Sequence, residues 1–185
     1  MHDEHAHERR FSGNADRLRA PERLARLEVE RVVALVLAGA DVTSALDVGT
    51  GTGVFAQAFA GLGLAVTGLD ANPGLIALAR DLVPAAAFRE GTAEALPFPD
   101  RSFDLVFLGL VLHETDDAVA ALREARRVAR VRVAVLEWPY IEEEQGPPLW
   151  HRLDAEKVRA LAAAAGFADV DEVKLDHVDL YRLTS

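Results

Sequence analysis

Apolar and polar positions alternate along the chain in two rhythms. Short apolar runs bounded by glycine or acidic residues read as strands buried on both faces of a parallel sheet. They are the run closed by Ala45, Leu46 and Val48 with Asp47 at its tip, then residues 64–69, 86–88, 103–108, 131–137, 170–175 and 178–183. Between them apolar residues recur at helical spacing. Leu24, Leu27, Val32, Leu35 and Val36 mark one leading helix from Pro21 to Ala38, and Val54, Phe55, Ala58, Phe59 and Leu62 mark the first crossover helix, stopped by Gly61 and Gly63. Asn72 is placed as an N-cap with Pro73 as the first helical residue, for a helix over Gly74 to Leu82 that stops before Pro84. Thr115 or Asp116 is expected to cap a helix running to Arg130, and Asp154 one running through Ala165 to Gly166. Strand and helix therefore alternate, the signature of a parallel sheet with crossover helices. Only the last two runs, joined by a very short return, are forced into antiparallel pairing.

One stretch organises the rest: Leu46-Asp47-Val48-Gly49-Thr50-Gly51-Thr52-Gly53-Val54-Phe55-Ala56, a strand, a glycine loop and a helix start. Gly49, Gly51 and Gly53 let the backbone turn tightly and approach a ligand closely, although many strand-to-helix turns carry such glycines for the turn alone. In a dinucleotide fingerprint the third glycine would stand at Val54; here it is displaced to Gly53, which disfavours a pyrophosphate ligand. The next strand stops at Asp70, an acidic side chain able to accept both hydroxyls of a ribose.

On these residues the chain resembles the class I S-adenosylmethionine-dependent methyltransferases, above all the compact branch that includes ubiquinone and menaquinone biosynthesis enzymes, over Ala45 to Leu136. The resemblance implies one doubly wound, Rossmann-like sheet of seven strands in the order 3-2-1-4-5-7-6, mostly parallel with one antiparallel edge strand and helices on both faces. It implies S-adenosylmethionine as cofactor and S-adenosylhomocysteine as product. The cofactor contacts it carries over are Asp47, Gly49, Thr50, Gly51, Gly53, Asp70 and Ala71, with Leu108 beside Gly109 at the methionine arm. The segment Gly91-Thr92-Ala93-Glu94-Ala95-Leu96-Pro97-Phe98 stands where the family has Gly-Asp-Ala-Glu and Leu-Pro-Phe and reads the adenine edge. Thr92 replaces the usual Asp, so the adenine falls to the Thr92 hydroxyl, with Ala93, or to Glu94. A Pro-Gly-Gly turn usual before the fifth strand is missing; Arg126-Arg127-Val128-Ala129-Arg130 runs straight into Val131. A histidine pair is common in the family where His113 and Glu114 stand. His113 is the candidate catalytic residue, either lining the acceptor pocket, acting as a base near neutral pH, or only bonding the backbone.

Composition narrows the reading. At 185 residues and 50% hydrophobic content the chain fits one domain, 1–185, with residues 1–20 as a flexible or lid-forming segment. Its net charge of −10 is the wrong sign for neutralising phosphates, so no nucleic-acid partner is expected. Without cysteine there is no disulfide, thiolate metal site or cysteine nucleophile, and the compartment is expected to be the reducing cytoplasm. No secretory leader or membrane span is expected. His2, His5 and His7 read as a solvated tail rather than a metal tract, and His113, Glu114 and Asp116 do not converge as ligands, so no metal is expected. The loop carrying Trp138, Pro139, Tyr140 and then Pro147 to His151 is expected to wall an acceptor pocket or to anchor itself through Trp150. The function implied is methyl transfer to a small-molecule acceptor, whose identity stays open, as does the oligomeric state. Two alternatives stand beside it: a domain that binds the cofactor without catalysis, and a nicotinamide-dependent oxidoreductase. Val54 and the absence of a Tyr-x-x-x-Lys pair disfavour the latter.

Overall fold

The apolar runs pair edge to edge into a single sheet, and the helical stretches cover its two faces. The computed structural model describes residues 15–184; the histidine tail and the first part of the expected lid lie outside them. The strands are β1 (Ser44–Val48), β2 (Ala65–Asp70), β3 (Ala87–Glu90), β4 (Phe103–Gly109), β5 (Ala129–Glu137), β6 (Asp169–Lys174) and β7 (Asp179–Thr184). Their order is β3-β2-β1-β4-β5-β7-β6, with β7 antiparallel to both of its neighbours and every other pair parallel. Both the order and the pairing sense are those expected.

Because successive strand side chains point to opposite faces, each strand feeds two cores. On one face Ala45, Leu105 and Phe107 pack under α1 (Pro21–Leu27), α2 (Val29–Leu37), α3 (Val54–Gly61) and α4 (Pro73–Leu82), through Leu27, Val33, Phe59 and Ile76. On the other, Leu46, Val106 and Leu108 pack under α5 (Ala118–Val128) and α6 (Ala155–Ala164), through Leu122 and Ala162. The chain thus changes face between β1 and β4, which leaves a crevice at their carboxyl ends.

Local punctuation agrees with the sequence in most places. The Asn72 side chain accepts from the amides of Gly74 and Leu75, Asp154 accepts from Lys157, and Gly166 closes α6 at a φ of 92°. Three details differ. The leading helix is broken at Glu28, whose backbone is left-handed at φ 46° and ψ 43°; its carboxylate there receives the Asp176 amide and an Arg31 N–H. The cap of α5 is Asp117, accepting from Ala120, not Thr115 or Asp116; the Thr115 hydroxyl donates instead to the Leu112 carbonyl. Finally α5 stops at Val128, and Ala129 is already extended as the first residue of β5, so the missing turn is replaced by a direct helix-to-strand junction. Among the described residues no helix is long and apolar enough to cross a membrane.

Candidate functional site

The crevice is a cleft of about 380 Å³ at the carboxyl ends of β1, β2 and β4, within the range that takes a small organic ligand. Val48, Gly49 and Gly51 form its floor; Asp70 to Pro73 form one wall, Gly91 to Glu94 another; Gly109 to Val111, Glu114 and Thr115 close the side toward β4, and Leu18 and Arg23 reach in from the leading segment.

The floor requires glycine for a stated reason. Gly49 has a φ of 70°, and a Cβ there would lie 2.5 Å from the Val111 Cβ. With no side chain, its amide and that of Thr50 both donate to the Leu69 carbonyl, at 2.8 and 3.0 Å, and pin the loop to the end of β2. Gly51 follows at φ 55°, and its amide donates to Asp70 Oδ2 at 2.9 Å.

Asp70 faces the cleft with both oxygens already engaged once, the second by the Asn72 amide at 2.8 Å. Burial pushes its carboxyl above the ordinary aspartate value, and the amides of Asn72, Gly51 and Ala71 only partly counter this. A carboxylate offers about four lone-pair directions, so acceptor capacity remains for a hydroxyl in the cleft. Gly49, Gly51, Asp70, Ala71, Thr92, Ala93 and Glu94 are brought together around one space. Glu94 also ties two walls together, accepting the Asp116 amide at 2.9 Å.

Five other candidates do not border the cleft. Asp47 alternates with Val48 and so points to the α3 side, where it is 1% exposed. It accepts the Thr50 hydroxyl at 2.7 Å and the Ala56 amide at 3.1 Å. Asp47 and Thr50 thus shape the loop from behind. Burial raises the Asp47 carboxyl to about 7, against the pull of those two bonds and with a small addition from Asp70. Gly53 opens α3 at φ 80° with Val83 and Phe88 as its neighbours. Leu108 is wholly buried in the core, and Gly109, one residue on, borders the cleft in its place.

His113 is the fifth. It is turned inward, with Nδ1 2.7 Å from Glu137 Oε2 and its own amide donating to Glu137 Oε1 at 3.1 Å. Glu137, the last residue of β5, is fully buried. Burial alone would lower the imidazole; the Glu137 charge and hydrogen bond outweigh it, so His113 sits above its ordinary value. A histidine turned behind the wall, its Nδ1 engaged by Glu137, is poorly placed to take a proton from a ligand. Its Nε2 lies 3.9 Å from Glu114 Oε1, and Glu114 is the residue that borders the cleft.

The aromatic loop also departs from expectation. Trp138 is 3% exposed and belongs to the core under α1, whereas Tyr140 and Trp150 are 48% and 70% exposed; none of the three borders the cleft. Arg23 and Leu18 were not anticipated there. No local signal marked them, since Arg19 and Arg23 lie on separate elements joined by the extended Ala20; Arg19 donates to the Thr52 carbonyl at 2.7 Å, on the glycine loop itself.

Comparison with known proteins fits this geometry. Residues 46–135 match the family model described as a methyltransferase domain. The demethylmenaquinone methyltransferase of Chlorobaculum tepidum is 42% identical over 86 residues, which are 46% of this chain and 36% of that protein. The ubiquinone/menaquinone biosynthesis C-methyltransferase of Xanthomonas oryzae is 38% identical over 117 residues, 57% of this chain and 46% of that protein. Residues 46–135 thus match a methyltransferase domain, and the chain is similar to class I S-adenosylmethionine-dependent methyltransferases. The matched stretches span less than half the length of these two curated relatives. The fold of this methyltransferase domain is shared with an S-adenosylmethionine-dependent methyltransferase from Aquifex aeolicus, with a TM-score of 0.82 over 91% of this chain and 95% of that one at 22% identity.

Proposed function

We propose that this domain transfers a methyl group from S-adenosylmethionine to a small-molecule acceptor in the cleft at the ends of β1, β2 and β4. The observation that carries the reading is Asp70: a carboxylate at the tip of β2, facing a side-chain-free floor of Gly49 and Gly51, in a chain of methyltransferase lineage. The residues present suit the cofactor. Asp70 keeps acceptor capacity for the ribose, Thr92 and Glu94 offer acceptors and the Ala93 amide a donor to an adenine edge, and Gly49, Gly51 and Gly109 leave backbone open to a methionine arm.

Bound S-adenosylmethionine supplies a methyl group already activated by its sulfonium. The chain's own task is then to hold, orient and keep dry, a role in which positioning alone can contribute several kcal/mol. Asp47 and Thr50 fix the loop, while Leu18, Leu110 and Val111 supply apolar wall. We assign His113 the task of holding Glu114 at the cleft rather than acting as the base. The two curated relatives are named for demethylmenaquinone and for ubiquinone/menaquinone biosynthesis, and the net charge of −10 suits a small acceptor better than a nucleic acid.

Incubation with S-adenosylmethionine and a panel of phenols, carboxylates, thiols and quinols, read by mass spectrometry, is expected to give S-adenosylhomocysteine and methylated product in equal amounts with at least one acceptor. Cofactor binding with no turnover over the panel would instead favour a non-catalytic binding domain. Affinity for NAD alone would favour an oxidoreductase.

A further inference from the structure

At the mouth of the cleft stands a cation whose neighbours leave part of it unsatisfied. Arg23, on α1, borders the cleft beside Leu18, Leu110 and Val111. Its guanidinium packs over the ring of Trp138, 5.3 Å from the centroid, and Trp138 is held in the core. The Arg23 Nε is buried without a hydrogen-bond partner. Two nearby arginines spend their terminal N–H groups within the protein. The Arg19 Nε is likewise buried without a partner, but its other nitrogens donate to the Thr52 carbonyl and to Gln57. Arg152, 6.0 Å from the same indole, is consumed by the carbonyls of Pro139, Gln145 and Pro147. Arg23 alone of the three is stacked, at the cleft, and hydrogen-bonded to none of the described residues.

Stacking on an aromatic face fixes the plane of a guanidinium without using its N–H groups, which favours a planar, two-pronged anion over a neutral partner. A buried N–H left without an acceptor is costly, and an occupant that supplies one recovers that cost. The adjoining walls are apolar, so the occupant that fits joins an apolar body to an anionic head. Glu114 borders the same cleft and attracts Arg23; it also disfavours a second anion placed away from the guanidinium, so the head group is confined to Arg23.

We propose that Arg23 is the docking point for a carboxylate carried by the methyl acceptor, which makes the acceptor an apolar or aromatic acid. This rests on the methyl-transfer reading. Arg23 orients the acceptor and takes no part in bond making. The competing owner of such a carboxylate is the cofactor's own methionine, and the test separates the two.

The protein is first titrated with S-adenosylhomocysteine; failure to bind would remove the methyl-transfer reading itself, before the acceptor question arises. The loaded protein is then titrated with benzoate and with its neutral counterpart benzamide, followed by ligand-observed NMR. Benzoate is expected to bind about tenfold or more tightly than benzamide, and Arg23→Gln to erase that preference while leaving S-adenosylhomocysteine affinity within about twofold. Arg23→Lys, which keeps charge without the fork, should retain part of the preference. Equal binding of the two probes, binding of neither, or a loss of S-adenosylhomocysteine affinity in Arg23→Gln would overturn the proposal, the last by giving Arg23 to the cofactor.

Discussion

Replacing Asp70 by alanine is expected to weaken S-adenosylhomocysteine binding by roughly ten- to a hundredfold or more. Hydrogen bonds to a charged acceptor contribute about 1.5–3 kcal/mol each, and each 1.4 kcal/mol is about tenfold in affinity. The same substitution frees the amides of Gly51 and Asn72, so part of the loss arises from a looser floor. Asp70→Asn separates the two contributions: an amide oxygen still accepts from one of those amides, but the charge that strengthens bonds to the ribose is gone. Calorimetry on both variants beside thermal melting reads the outcome, and unchanged affinity in Asp70→Ala would remove the ribose assignment.

The second large effect concerns the buried pair of His113 and Glu137. Glu137→Gln leaves an imidazole in the core without its counter-charge, and breaking such a pair from one side costs about 3–5 kcal/mol. The pH dependence identifies the cause. His113 is raised above its ordinary 6.5, so its contribution is complete below pH 6.5 and is lost as pH rises through the folded-state value. Asp47 acts in the adjacent window: with its carboxyl raised from 3.8 to about 7 by burial, the folded protein keeps a proton that the unfolded chain has released. Stability should therefore fall as pH rises from about 4 to 7, by about 4 kcal/mol in all. Denaturant unfolding across pH 4–9 should show both declines in the wild-type protein, the lower one absent from Asp47→Asn and the upper one absent from Glu137→Gln. A variant that keeps its decline would show that the assigned group is not the one titrating.

How far the chain could be read in advance depended on whether a signal was local. Strand runs, the Asn72-Pro73 and Asp154 helix starts, and the Gly166 stop are each decided within a few residues, and they appear where expected. The break at Glu28 was not legible, because apolar spacing runs through it; what stabilises its left-handed backbone is the distant Asp176 amide. The cap of α5 was placed one or two residues early, at Thr115 or Asp116 rather than Asp117, where three neighbouring side chains are all of capping type.

The site divides along similar lines. The cleft positions of Gly49, Gly51 and the turn after Asp70 follow from loop geometry and were legible. Asp47 and Leu108 were assigned to the cleft because they lie at strand tips, but the two-residue alternation of a strand turns Asp47 toward α3, and Leu108 is enclosed by the core while Gly109 reaches the cleft. The partner of His113, Glu137, lies on another strand and left no local signal. Trp138 was expected in the acceptor wall and instead lies beneath Arg23, a relation between residues far apart in sequence.

The central claim is that one cleft, between Asp70 and the glycine floor, takes the adenosine of S-adenosylmethionine. A crystal structure of the protein soaked with S-adenosylhomocysteine tests it most directly. The account predicts both ribose hydroxyls on Asp70, the adenine against Thr92 to Glu94, and the homocysteine arm over Gly49 and Gly51. A ligand bound elsewhere, or a ribose that bypasses Asp70, would contradict it.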